Sequence, residues 1–320
     1  MTVTRPFRAA ALLAVISLLT TLAVAQKKTP RSPRVSPPKT FDDETNRLFG
    51  KDPVTLLRGD RPKLSGNKPT NATTSVDSGG PKVAGPSSGG DGWSQLISSG
   101  GVADEIKSYR LAAAESTKSP GIFKGGGNRK LREHYGIVAA MFGIAAEYPG
   151  DVRWKEVASG ARDAFARAAR NAKAADNNTF KESRARSDDL DLLVNGEKVE
   201  FEPGEVEFLW SEICERRAIM KRFKMAQDER MKQWTANQTE FDRNRENIVF
   251  EAEIIASLSE IIQKGEFEYY DDDDYLAFCK QMQRNALDIR QAARDNNLAE
   301  AQRATGELSK TCSACHEGYK

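Results

Sequence analysis

Histidine is nearly absent from this 320-residue chain: there are two, so no metal site built from several imidazoles can form. Cysteine is scarce as well. Four residues, Cys214, Cys279, Cys312 and Cys315, are too few for a fold stapled by disulfides. Neither sign of charge prevails, because 48 Lys and Arg face 46 Asp and Glu for a formal net charge of +2. There is no basic block of the kind that grips nucleic acid, so nucleic acid is not an expected partner. Beyond the first residues no stretch is apolar enough for a bilayer span. After residue 93 no segment alternates apolar and polar residues in the manner of a half-buried strand.

What is present begins with an export signal. Arg5 and Arg8 precede the apolar stretch Ala9 to Ala25, which closes on Ala23-Val24-Ala25 before Gln26, the small-x-small pattern of a cleavage site. The competing reading is an uncleaved anchor, but the apolar run is short for a full span. Residues 1–25 are therefore expected to be removed. The mature chain is expected to be periplasmic or otherwise exported, with no membrane span. Residues 26–92 hold nine of the 13 prolines together with Gly and Ser runs, a composition that cannot bury enough apolar surface to offset chain entropy. This stretch reads as a disordered tether, with Val54 to Arg58 as an apolar interruption.

From Trp93 onward the periodicity is helical. Leu131, Tyr135, Val138, Phe142 and Ala145 line one helix face, and Trp154, Val157, Ala161, Ala164 and Ala168 line the next. Tyr148-Pro149-Gly150-Asp151 marks the stop and turn between them. Helices near Val102 to Lys118 and Thr179 to Leu193 would complete a first four-helix unit over 93–196. A second unit over 203–320 repeats the arrangement. Its first helix is expected over Glu205 to Thr235 with Leu209, Ile213, Arg216, Met220 and Phe223 on one face. Ile248 to Ile262 marks the next helix, with Gly265 as a left-handed cap. Tyr275 to Ala293 forms the third, and Ala304, Leu308, Cys312, Cys315 and Tyr319 share a face of the fourth. Short loops between long amphipathic helices predict an all-α fold of two tandem antiparallel four-helix bundles.

The fourth helix ends in Cys312-Ser313-Ala314-Cys315-His316, the pattern of c-type haem attachment. Residues three apart share a helix face, so both thiols can bond vinyl groups of one porphyrin, while His316 supplies an axial ligand to the iron. A thioredoxin-like pair would need a strand-to-helix turn that this chain lacks. A zinc site would need two further ligands, and no second Cys/His pair has a suitable spacing. One covalent haem c is the expected cofactor. The first unit has no cysteine and cannot attach a second one this way.

With its motif in the last helix, followed by Tyr319 and Lys320, the stretch from about Glu205 to Lys320 resembles the class II cytochromes c, the cytochrome c′ and cytochrome c-556 group. That resemblance implies a four-helix bundle, with an arginine in the first helix and, four residues later, the residue facing the distal side of the iron. Arg216 and Met220 occupy those positions. An arginine on an apolar stripe needs a partner, and a haem propionate would be one. Met220 is either the second axial ligand or a core methionine. Lys320 is either a further propionate contact or a frayed end. Members of the family pair into dimers, so a homodimer is among the expectations. The first unit reads as a degenerate sister bundle, with Ala114 at the distal position and His134 as a surface or packed residue, ligation of a haem from another face being its alternative.

Cys214 and Cys279, both expected within helices, read as buried free thiols, because a bridge would join diagonal helices. Asp271 to Asp274 reads as helix-start charge that could also steer a basic redox partner. The leading expectation is a one-electron carrier with His316 and Met220 on the iron and an unidentified redox protein as partner. Two alternatives stay open, a five-coordinate binder of nitric oxide or carbon monoxide and a docking subunit of a larger redox complex. No acid–base constellation accompanies the motif, so an enzyme is not expected.

Overall fold

A computed structural model of the chain describes residues 92–319. The expected signal segment, nearly all of the tether with its 54–58 patch, and Lys320 lie outside the described residues. The described part is all-α, as the periodicity predicts, with no strand among the described residues. No helix among them is long and apolar enough to cross a membrane.

Helix α1 spans Gly92–Leu96, α2 Ser99–Ser108 and α3 Arg110–Ser116. A kinked turn at Phe123–Gly127, with Gly126 at φ of 127°, leads into α4, Asn128–Glu147, followed by α5, Ala158–Asn171, and α6, Asn177–Asn195. The short α7 covers Trp210–Ile213. Helix α8, Arg216–Lys224, continues through a π-helical segment, Met225–Met231, to Trp234. Helices α9, Gln238–Ile261, α10, Asp273–Arg294, and α11, Leu298–Gly318, complete the order.

Local chemistry sets most of these ends. Ser98, Asp176, Asn237, Asp272 and Asn297 each turn a side-chain oxygen onto a free N–H of the first turn that follows. Gly196, with φ of 88°, closes α6 in the left-handed conformation that glycine adopts without strain. Gly265 does not play that part for α9. Instead, tight turns after Ile261 satisfy the end of the helix, with Gln263 N–H donating to the Glu260 carbonyl and Lys264 N–H to the Ile261 carbonyl. The left-handed residue in this loop is Tyr269, at φ of 67°.

The long first helix expected over Glu205 to Thr235 is broken. Cys214 (φ −139°, ψ 121°) and Glu215 (φ −64°, ψ 137°) are extended, so the preceding segment leaves the axis of α8 and packs on α4 and α5. Trp210 lies over Gly143 of α4, and Phe208 lies 3.9 Å under the guanidinium of buried Arg162. Two glycines allow this approach. A Cβ on Gly160 would meet the Glu202 carbonyl at 2.3 Å, and one on Gly204 would meet the Ser159 backbone at 2.4 Å.

Helices α4 and α9 are buried around much of their circumference, α4 from Tyr135 to Ala145 and α9 from Glu251 to Ser259. Such helices are central in their surroundings, and a one-sided stripe understates them. Helix α4 meets α2, α5 and α8, and α9 meets α10, α1 and α2. The expected boundary between 196 and 203 is therefore crossed by packing. It is also crossed by charge: Arg222 of α8, 2 % exposed, donates to Glu105 of α2 at 2.6 and 2.9 Å and to Glu251 of α9 at 2.5 Å. The hydrophobic core of the described residues is one continuous cluster.

Candidate functional site

Helix α11 starts from its Asn297 cap and buries Ala301, Ala304 and Leu308 against its neighbours. Further along, in the last two turns, Cys312, Cys315 and His316 reach a cavity of about 550 Å³. Helix α8 supplies the opposite wall with Met220, Phe223 and Gln227. Gln227 also ties the two helices together, donating to the Thr305 carbonyl at 3.0 Å. Helix α10 contributes Tyr275, Phe278, Cys279 and Met282, and Ile262 closes the side beyond α9. The fold thus brings Cys312, Cys315, His316 and Met220 to one apolar chamber, although Met220 and His316 are 96 positions apart in sequence (316 − 220).

The environment of the thiols fits attachment better than redox exchange. Burial pushes the Cys312 thiol up to about 11 and raises Cys315 as well. A reactive redox pair needs the reverse, a thiolate stabilised by positive surroundings. Both cysteines are free, as are Cys214 and Cys279. No group of three His, Cys, Asp or Glu side chains among the described residues is arranged to hold a bare metal ion. Cys279 lies on the core stripe of α10, and burial pushes its thiol up to about 12. Cys214 differs from expectation, since it sits at the extended break after α7, with its sulfur against Gly136 of α4.

Two donors in this region are buried without an acceptor, the Tyr275 hydroxyl and Arg216 Nε. Buried donors of this kind are rare in proteins and call for a partner. Arg216 does not line the cavity itself. Its guanidinium stands 5.1 Å from the Tyr269 ring centre and 5.3 Å from that of Tyr275, and Nη1 reaches the exposed Glu268 carboxylate at 3.3 Å. The residues present fit a haem: the apolar chamber would take a porphyrin, the two thiols would suit its vinyl groups, and the unpartnered donors would suit an anionic edge.

The sequence pattern missed the other charged residues at the mouth. Arg217, Lys221, Lys224 and Lys232 line it with a single acid, Asp228. Arg217 and Lys224, three residues before and four after Met220, were a usable signal, obscured by reading the helix as an apolar stripe. In the first unit, Ala114 faces solvent and so has no distal role. His134 is a packed residue, its ring 5.0 Å from that of Tyr109, and burial lowers its pKa. No family model, curated protein or solved structure matches this chain.

Proposed function

We propose that the chain is an exported c-type cytochrome that holds one covalent haem c and carries single electrons between redox proteins. The observation that carries this reading is the meeting of Cys312, Cys315, His316 and Met220 around one apolar cavity. Each cysteine would add its sulfur and its hydrogen across one vinyl double bond, leaving two thioether links. His316 would give an imidazole nitrogen to the iron and Met220 its thioether sulfur. Bound in this way, the haem supplies a reversible one-electron couple. Phe223, Ile262 and Met282 keep water from it, and the cationic mouth balances its carboxylates. Histidine–methionine ligation favours the reduced form by raising the potential.

Expression in a host competent for cytochrome c maturation tests this. Haem should remain with the polypeptide after denaturation and be lost from a Cys312→Ser/Cys315→Ser variant. The oxidised protein should absorb weakly at long wavelength through sulfur-to-iron charge transfer, and Met220→Ala should abolish that band. Haem that washes away on denaturation would defeat the proposal. The apolar chamber also favours a second reading, a binder of nitric oxide or carbon monoxide. The wild-type protein would then be high-spin and take up carbon monoxide rapidly when reduced, without mutation of Met220.

A further inference from the structure

The Tyr275 hydroxyl is a buried polar group at the cavity that the proposed function has not employed. Tyr275 is 0 % exposed, lines the cavity, and has no hydrogen-bond partner for its oxygen. The neighbouring Cys279 thiol is near enough to act as a weak acceptor for it, although no hydrogen bond of good geometry joins the two. Its ring is held on two sides, 5.6 Å from Tyr269 and 5.3 Å from Tyr319, so packing fixes where the residue sits. Burial raises its pKa, which keeps it a donor. Arg216 stands over the same ring with Nε also buried and unpartnered. Two adjacent donors, one of them cationic, suit a single carboxylate better than a neutral ligand.

We infer that Tyr275 donates a hydrogen bond to a carboxylate of the haem, acting beside Arg216 as a positioning residue that tunes the iron through that carboxylate. The inference rests on the haem reading. Tyr275 keeps negative charge at the haem edge partly neutralised, and this favours the reduced iron.

The test uses the haem-loaded protein carrying Tyr275→Phe, which retains the ring packing, with Tyr269→Phe as a control. Tyr275→Phe should keep its covalent haem and absorption spectrum but shift the reduced-to-oxidised ratio about two- to tenfold towards oxidised, the range of one lost hydrogen bond. The pH at which the potential begins to change should also move upward, because the carboxylate has lost a donor that favours its ionised form. A potential and pH profile matching wild type would overturn the inference, as would an effect confined to carbon monoxide binding. If the variant does not fold, proton NMR of the reduced wild-type protein decides. A slowly exchanging Tyr275 hydroxyl proton close to the methylenes beside a haem carboxylate is expected, and its absence overturns the inference. Loss of covalent haem from the wild-type chain would instead strike the haem reading itself, and this inference with it.

Discussion

At the scale of single residues, Asp272 links the start of α10 to the end of the chain. Its carboxylate accepts from the Asp274 and Tyr275 amides, each at 3.0 Å, and from the Tyr319 hydroxyl at 2.7 Å. These bonds, led by the Tyr275 amide, hold its carboxyl below the usual range. A carboxyl so depressed contributes stability above its unfolded pKa and loses it as pH falls through the folded one. Asp272→Ala should therefore lower the thermal midpoint near neutral pH, and the gap to wild type should close in acid. A gap that is the same at both ends of a pH series of melts would count against this role. The neighbouring Asp273 and Asp274 occupy the first turn of α10, so much of the acidic run works as helix-start charge. The candidate site divides along the same line. Cys312, Cys315 and His316 stood out in the sequence because the proposed attachment motif is local, and the fold brings them to one cavity. Tyr275 was not, because its importance lies in being enclosed, and enclosure depends on helices distant in the chain.

At the scale of elements, the helices of the second half were read in the right order because their stripes are regular and their caps are short polar residues. The break at Cys214 and Glu215 escaped because Leu209, Ile213, Arg216, Met220 and Phe223 keep helical spacing straight across it. The tertiary contacts of Phe208 and Trp210 override that local pattern, and Leu209 is left 45 % exposed. The close crossing at Gly160 offers a direct check. Gly160→Ala would drive a methyl into the Glu202 carbonyl and should cost about 1–3 kcal/mol in denaturant unfolding. Gly306→Ala, in open space on α11, should be stabilising by up to about 1 kcal/mol. Equal effects of the two would mean that the crossing is not tight in solution.

At the scale of the whole molecule, the first unit is more than an appendage, because it holds partners for the helix that carries Met220. Arg222, two residues beyond Met220, is neutralised by Glu105 from α2 and Glu251 from α9, and Arg230 reaches Glu251 as well. The Tyr109 hydroxyl donates to Glu105 at 3.0 Å. Breaking one side of such a buried group leaves charge without compensation. Glu105→Gln should cost roughly 3 kcal/mol, against little for the exposed Glu115→Gln, as read from denaturation midpoints. A loss no larger than that of Glu115→Gln would mean that the halves stand independently. The sequence did not reveal this coupling, since a glutamate and an arginine 117 positions apart carry no mark of each other.

The π-helical segment Met225–Met231 has a further consequence, which concerns length and not composition. A π turn amounts to one inserted residue in an α-helix. Removing one residue there should restore regular winding while the α-helical parts on either side keep their faces, so Met220 and Lys232 would both stay at the cavity and only the bulge that carries Gln227 would be lost. Gain or loss of one codon there can thus reshape the wall at Gln227 in a single step while the rest of the helix holds its register, a route that amino-acid replacement does not provide.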